Sequence, residues 1–164
     1  MELYFIRHGI AVDRGTYNKD EERPLTEKGR DKTTQVARRL CEIGLRLDLI
    51  LTSPLVRAVQ TAEILKQVGL GDRLENFPHL APNGDLQSWV NWYLEERYNQ
   101  NRSSIALVGH QPNLGNWAET LVWGKSEEKL TLKKAGAIGV RLPEKINPIG
   151  NSELFLLTSP KWLL

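Results

Sequence analysis

Two short apolar runs, each followed by a histidine, constrain the fold of this chain most strongly. Residues 3–6 lead into Arg7-His8-Gly9, and residues 104–108 lead into Gly109-His110. Runs of this kind are typical of strands buried on both faces, as in a parallel sheet covered by helices. Open α/β sheets bind their ligands at the carboxyl ends of the strands. The sequence therefore predicts a site where these two histidines lie.

Apolar residues recur at helical spacing in the segments between such runs. A helix begins after Thr26, a good N-cap residue, carries Cys41 on its apolar stripe and ends near Gly44. Similar stripes predict helices over residues 55–65, 86–94 (after an N-cap at Asp85) and 114–122. Shorter runs predict strands at residues 47–51, 74–77, 137–142 and 154–157, and polar residues 99–102 predict a surface turn.

The order of these elements predicts the architecture. Strands alternate with helices until a late run of strands, which is typical of an α/β protein with a mostly parallel sheet. A chain of 164 residues is long enough to bury a core of its own. We therefore expect residues 1–164 to form a single domain, a three-layer α/β sandwich around a mostly parallel central sheet.

Composition excludes several classes of function. The net charge of +2 is too small to indicate binding to nucleic acid or to a membrane surface. No apolar stretch approaches the roughly 18–20 residues of a membrane span, and no signal peptide is recognisable. Cys41 is the single cysteine, so no intrachain disulfide can form. These features lead us to expect a cytoplasmic protein.

A third junction carries an arginine where a helix begins. The predicted second strand leads into Ser53-Pro54, and Arg57 falls in the first turn of the helix that follows. The helix dipole disfavours a cation there, unless an anion is bound at the same helix end. Arg57 is therefore either a phosphate ligand or an ordinary solvated arginine.

The polar loop over residues 11–23 follows the first strand and is expected at the rim of the site. Its basic residues, Arg14, Lys19 and Arg23, could face an anionic partner. The alternative that it is a plain solvated loop is the more common one for such a composition.

Together the three junctions place Arg7, His8, Arg57 and His110 at one edge of the sheet. Guanidinium groups bind phosphoryl oxygens through fixed pairs of N–H donors. A neutral imidazole can attack phosphorus, and a protonated one can stabilise charge on the phosphoryl oxygens. A zinc site is disfavoured because none of the three histidines is paired with another at short spacing.

These motifs resemble the histidine phosphatase superfamily, also called the phosphoglycerate mutase-like family. Its signature Arg-His-Gly follows the first strand, as Arg7-His8-Gly9 does here. The resemblance extends over residues 2–142, and further landmarks are residues 25–29, 53–62 and Gly109-His110. Within the superfamily, the chain is most similar to the short bacterial phosphohistidine phosphatases.

The resemblance implies that His8 is the nucleophile and carries a transient phosphohistidine. It implies that Arg7, Arg57 and His110 complete the phosphate pocket, with no metal and no cofactor. The expected partner is a phosphorylated histidine-containing phosphotransfer protein of two-component signalling.

The chain departs from the mutases and phosphomonoesterases of this superfamily at one position. Those enzymes carry a catalytic Glu or Asp where this chain has Pro82-Asn83-Gly84, as in the short phosphohistidine phosphatases. Asp85 is adjacent, and we interpret it as the N-cap of the next helix rather than as an acid. Phosphohistidine can expel a neutral imidazole, whose conjugate acid has a pKa of about 6.5, whereas an alkoxide needs a proton donor. The missing acid therefore favours P–N substrates over P–O substrates.

Two alternatives stay open. One is a small-molecule phosphomonoesterase of the same fold, which the short chain and the missing carboxylate disfavour. The other is a non-catalytic phosphate-binding module, which would have no need of a nucleophilic histidine.

Overall fold

The structure is a computed structural model that describes residues 1–96 and 103–164, so the turn expected at residues 99–102 lies outside the described residues. Its strands and helices are β1 (Glu2–Arg7), α1 (Glu27–Glu42), β2 (Leu49–Thr52), α2 (Val56–Gln67), β3 (Leu74–Asn76), α3 (Leu86–Glu96), β4 (Ser104–Gly109), α4 (Asn113–Trp123), β5 (Ala137–Arg141), β6 (Glu153–Thr158) and α5 (Pro160–Leu163). Short 3₁₀ turns lie at Asp20–Glu22 and Pro78–Leu80.

The six strands form one sheet in the order β3-β2-β4-β1-β5-β6. Strand β5 runs antiparallel to the other five strands, which are parallel to one another, so the sheet is mostly parallel, as predicted. The strand expected over residues 47–51 begins later, at Leu49, and extends to Thr52. Leu47 lies before the strand, and its N–H donates to the carbonyl of Leu70 at 2.7 Å.

Two apolar clusters, one on each face of the sheet, form the core. Alternate residues of β1 and β4 contribute to opposite clusters, such as Phe5 and Leu107 to one and Ile6 and Val108 to the other. The first cluster includes Trp89 of α3 and residues of α4, and the second includes residues of α1 and α2. The three-layer α/β fold is therefore confirmed.

Local capping contacts fix where two of the helices begin. The Thr26 side chain accepts a hydrogen bond from the Gly29 N–H at 2.9 Å, and Asp85 accepts one from the Ser88 N–H at 2.8 Å. Each contact satisfies a backbone donor that has no partner inside its helix. Both side chains are therefore N-caps, as the sequence predicted.

Across the described ranges, none of the helices has the length and apolar character needed to cross a bilayer.

The first turn of α1 packs directly against the loop that follows β1. A Cβ added at Gly29 would lie 2.0 Å from the Ile10 carbonyl oxygen, which accepts a hydrogen bond from the Thr26 N–H. The position therefore has room only for glycine, because the obstructing atom belongs to the backbone.

We predict that Gly29→Ala lowers the free energy of unfolding by about 1–3 kcal/mol, the usual cost of overpacking. Chemical denaturation monitored by tryptophan fluorescence measures this. Lys28→Ala is the control, because Lys28 lies next to Gly29 on the same helix but is exposed. Equal stability of the two variants would contradict the close packing.

Candidate active site

The pairing of β1 with β4 brings His8 and His110 together. Arg7 is the register partner of Gly109, and the His8 N–H donates to the Gly109 carbonyl at 3.0 Å. His8 and His110 follow at the same level of the sheet, with ring centroids 5.2 Å apart. Both rings, Arg7 and Arg57 line a cleft of about 800 Å³. The structure thus brings together all the side chains that the sequence assigned to the site.

The imidazole of His8 is held in one tautomer. Its Nδ1 lies 2.7 Å from the Gly9 carbonyl oxygen, which can only accept, so Nδ1 carries the proton. Its Nε2 accepts a hydrogen bond from Arg57 Nε at 3.3 Å. Burial lowers the pKa of His8 to about 3. The ring is therefore neutral near pH 7, with the Nε2 lone pair on the side of the Arg57 guanidinium.

Arg57 is buried, with only 3% of its surface exposed, and its guanidinium is bound to Asp20. Nη1 donates to the Asp20 carbonyl at 2.8 Å, and Nη2 donates to the Asp20 carboxylate at 3.0 Å. The interpretation of Arg57 as a solvated arginine is therefore wrong. An anionic group does lie at this helix start, and in the structure it is a side chain of the rim loop.

Sequence reasoning did not identify Asp20. Burial alone would raise the pKa of this carboxyl, but hydrogen bonds from Arg23 and Arg57 and their charges hold it below its ordinary value. The spacing of Asp20 and Arg23, three residues apart, was the one available signal, since such residues are neighbours on a helical turn. Nothing in the local sequence indicated the contact with Arg57.

Arg7 is fixed from the opposite side of the cleft. Its Nη1 donates to the carbonyl of Leu132 at 2.7 Å. Its Nε is buried and has no hydrogen-bond partner among residues 1–96 and 103–164. The backbone N–H of Arg7 donates to the Gly136 carbonyl at 3.2 Å. The segment before β5 therefore positions this arginine.

His110 is held by Ser53, a residue of the third junction that the sequence did not assign to the site. Its Nε2 lies 2.7 Å from Ser53 Oγ, and its Nδ1 is buried without a partner in the described part of the chain. Burial, followed by the charge of Arg57, lowers the pKa of His110 to about 3. In the free protein this ring is therefore also neutral, and the protonated role that the sequence suggested requires an anion nearby.

Thr61 joins the turn after β1 to the helix that carries Arg57. Its Oγ1 accepts a hydrogen bond from the Gly9 N–H at 3.0 Å and donates one to the Arg57 carbonyl at 2.8 Å. One buried hydroxyl therefore fixes the separation between the His8 turn and the first turns of α2.

Residues 3–104, more than half of the chain, match the family model of the histidine phosphatase superfamily, branch 1. The chain belongs to the histidine phosphatase superfamily. The matched range ends before His110, so the structure, rather than this match, places the second histidine in the cleft.

Individual relatives agree with membership of this superfamily. An uncharacterised protein of Picosynechococcus sp. is 52% identical over 165 residues, which cover 100% of this chain and 99% of that protein. The phosphohistidine phosphatase SixA of Escherichia coli K12 is 29% identical over 140 residues, 84% of each chain. A solved structure of the protein histidine phosphatase SixA complexed with tungstate has a TM-score of 0.86 and 28% identity, covering 100% of both chains.

Several basic residues line the rim of this histidine phosphatase cleft. Arg14, Arg23 and Lys134 are among the residues that line it, whereas Lys19 is not. Arg23 is buried and donates to the Asp20 carboxylate at 2.8 Å and to the Val12 carbonyl at 2.6 Å, so the plain solvated loop is wrong for this residue. Burial, followed by the charge of Arg7, lowers the pKa of Lys134.

Asp85 and His79 lie outside the residues that line the cleft. The Asp85 carboxylate accepts hydrogen bonds from the Ser88 N–H and hydroxyl, which lower its pKa, and lies 3.4 Å from His79 Nδ1. These contacts support its interpretation as a cap. Over the described ranges, no three or more His, Cys, Asp or Glu side chains are grouped as a metal site requires.

We predict that the two cleft histidines make stability depend on pH. Their pKa values of about 3 in the folded chain lie below the ordinary value of about 6.5, so the unfolded chain binds more protons below pH 6.5. The free energy of unfolding should therefore fall as pH falls from about 6.5, with no contribution from these groups above that pH. When the pH is lowered from 7.5 to 5.0, the free energy of unfolding of His110→Gln should fall by roughly 2 kcal/mol less than that of the wild type. Denaturant titrations in phosphate-free buffer measure this, and parallel pH profiles would contradict it.

Proposed function

We propose that this chain is a phosphohistidine phosphatase that dephosphorylates a histidine-containing phosphotransfer protein through a phosphohistidine on His8. One observation carries the proposal. The neutral His8 ring has its Nδ1 proton bound to the Gly9 carbonyl and its Nε2 lone pair beside Arg57 in a cleft that is lined by further cations. SixA, the relative named above, is a phosphohistidine phosphatase, which supports the same activity here.

The arginines supply the donors for the phosphoryl oxygens. Each terminal nitrogen of Arg57 carries a second N–H beside the one donated to Asp20, and Arg7 Nε is a buried donor without a partner in the described chain. Donors fixed in this way stabilise charge on the oxygens without reorganising. A phosphoryl dianion would also favour protonation of His110, whose Nδ1 is unpartnered in the same described residues.

In the first step, His8 Nε2 attacks phosphorus as the bond from phosphorus to the substrate imidazole breaks. The electron pair of that bond stays with the substrate ring, which leaves as a neutral imidazole if its other nitrogen carries a proton. The chain therefore needs no acid for this leaving group.

In the second step, water attacks phosphorus and His8 leaves. Because Nδ1 keeps its proton on the Gly9 carbonyl, phosphorylation at Nε2 produces a cationic ring. That ring departs as the same neutral tautomer that began the cycle, and inorganic phosphate retains the protons of the water. The Gly9 carbonyl thus favours both formation and hydrolysis of the intermediate.

Among residues 1–96 and 103–164, two carboxylates line the cleft and are candidates for an acid. Asp20 is bound by two arginines that lower its pKa, so it is ionised near pH 7 and cannot donate a proton. Asp13 lines the cleft at its exposed rim. Neither carboxylate protonates the leaving group in this mechanism.

The basic rim supports a macromolecular partner with an acidic surface. Arg14 and Lys134 flank the cleft mouth, where they could contact carboxylates around a phosphorylated histidine. We place the activity in two-component signalling, where phosphotransfer proteins carry this group. We also propose a cytoplasmic location, because a chain whose single cysteine cannot form an internal disulfide suits a reducing compartment.

The decisive experiment measures how fast the wild type and its variants dephosphorylate an isolated, phosphorylated histidine-containing phosphotransfer domain. His8→Ala should reduce turnover by several orders of magnitude, as is usual when a nucleophile is deleted. His79→Ala is the matched control and should retain wild-type activity, because His79 lies outside the cleft. An acid-free quench should trap the phosphoryl group on His8. More than a tenth of the activity remaining in His8→Ala would remove His8 from this role.

A second prediction concerns the leaving group. With no protein acid, rates should fall steeply as the leaving group becomes more basic. Phosphohistidine and aryl phosphates should turn over, whereas phosphoserine and sugar phosphates should be nearly inert. Asp85→Asn and Asp13→Asn should leave the rates on phosphohistidine and aryl phosphates unchanged. If alkyl phosphates were cleaved as fast as phosphohistidine, and if either variant removed that activity alone, the chain would be a phosphomonoesterase with that residue as its acid.

A further inference from the structure

Glu119 is a buried carboxylate that the proposed mechanism does not use. It lies on α4, is only 2% exposed and does not line the histidine cleft. Its carboxylate binds one loop, at residues 126–130. Oε1 accepts the N–H groups of Lys129 and Leu130 at 2.5 Å each, and Oε2 accepts the Glu127 N–H at 2.5 Å and the Ser126 hydroxyl at 3.3 Å.

These bonds keep the carboxylate ionised in spite of its burial. Burial raises the pKa of Glu119, but the three backbone N–H donors outweigh it and lower the pKa below its ordinary value. An ionised carboxylate that accepts several N–H bonds holds a loop more firmly than a neutral group does. Glu119 therefore holds four positions of the loop, within residues 126–130, through one side chain.

The same loop is tied to the site from the other side. The Leu130 carbonyl accepts a hydrogen bond from Gln111 Nε2 at 2.8 Å, and Gln111 directly follows His110. A Cβ added at Gly115 would lie 2.0 Å from the Leu130 carbonyl oxygen, so α4 and the loop are in direct backbone contact. The backbone at Leu130 therefore has no free space into which it can shift toward α4.

Two residues further on, the loop reaches Arg7. The Leu132 side chain is buried in the core, and its carbonyl accepts the 2.7 Å bond from Arg7 Nη1. Within residues 1–96 and 103–164, this is the one hydrogen bond recorded for the Arg7 guanidinium. The orientation of the guanidinium in the cleft thus depends on where the loop places that carbonyl.

We propose that Glu119 is a positioning residue for oxyanion binding: through the loop at residues 126–132 it holds the Leu132 carbonyl, which orients the Arg7 guanidinium toward the phosphoryl group. The inference rests on the proposed function, because it assumes that Arg7 contacts the phosphoryl oxygens. It differs from a purely structural role in one respect, since its effect must pass through Arg7.

The test is a double-mutant cycle read out by orthovanadate affinity. Glu119→Gln places an amide NH₂ against backbone N–H donors, so part of the loop contact is lost. In the wild-type background we expect vanadate affinity to fall about tenfold. In an Arg7→Ala background, Glu119→Gln should change the affinity less than twofold, because the guanidinium that it positions is absent.

The matched control is Glu127→Gln. Glu127 belongs to the same loop, but its carboxylate is half-exposed and pairs with Lys125 at 2.8 Å and with Lys129. This variant should retain wild-type vanadate affinity. Thermal unfolding of every variant checks that the fold is intact. If Glu119→Gln does not fold, Glu119→Asp takes its place and should weaken binding by a smaller factor, again only when Arg7 is present.

Three outcomes would overturn the proposal. A folded Glu119 variant with unchanged vanadate affinity would show that Arg7 is positioned independently of the loop. An equal loss in both backgrounds would show a general structural effect. Failure of the wild type itself to bind vanadate would overturn the proposed phosphate site together with this inference, whereas the first two outcomes leave the proposed function standing.

Discussion

The parallel pairing of β1 with β4 is the contact on which the rest of the site depends. It aligns Arg7 with Gly109, so that the chain leaves both strands at the same level and carries His8 and His110 into one cleft. In each of these strands, alternate side chains pack into the two apolar clusters on opposite faces of the sheet. A slip of one residue would turn every apolar side chain to the opposite face. The packing of both faces therefore fixes the relative position of the two histidines.

Placing these rings at buried strand ends determines their chemistry. Burial disfavours the imidazolium form, and the resulting low pKa keeps the His8 ring neutral near pH 7. Hydrogen bonds offset the cost of burying these rings: the Gly9 carbonyl and Arg57 bind the two nitrogens of His8, and Ser53 binds Nε2 of His110. The contacts that stabilise the rings also select the tautomer in which Nε2 of His8 has its lone pair beside the arginine.

The buried charges form a second level of organisation. Arg57 and Arg23 share the Asp20 carboxylate, which compensates part of the cationic charge in the cleft and fixes the loop that carries it. On the opposite side, Glu119 fixes the loop that leads to Leu132 and Arg7. In each case one carboxylate orders a loop, and the loop presents an arginine or a carbonyl at the cleft. Removing Asp20 would be costly, because the buried guanidinium of Arg57 would lose the charge that compensates it.

The sequence by itself determined the elements and the members of the central constellation. Apolar runs and helical stripes report local burial, Thr26 and Asp85 report helix starts, and parallel strands necessarily bring Arg7, His8, Arg57 and His110 to one edge. Only the tertiary structure decided what holds those side chains. Asp20 lies 37 residues from Arg57 and Leu132 lies 125 residues from Arg7, so no local periodicity reports their contact. Such pairings depend on how loops pack once the sheet has formed, because their energy comes from burial and hydrogen bonding between distant segments.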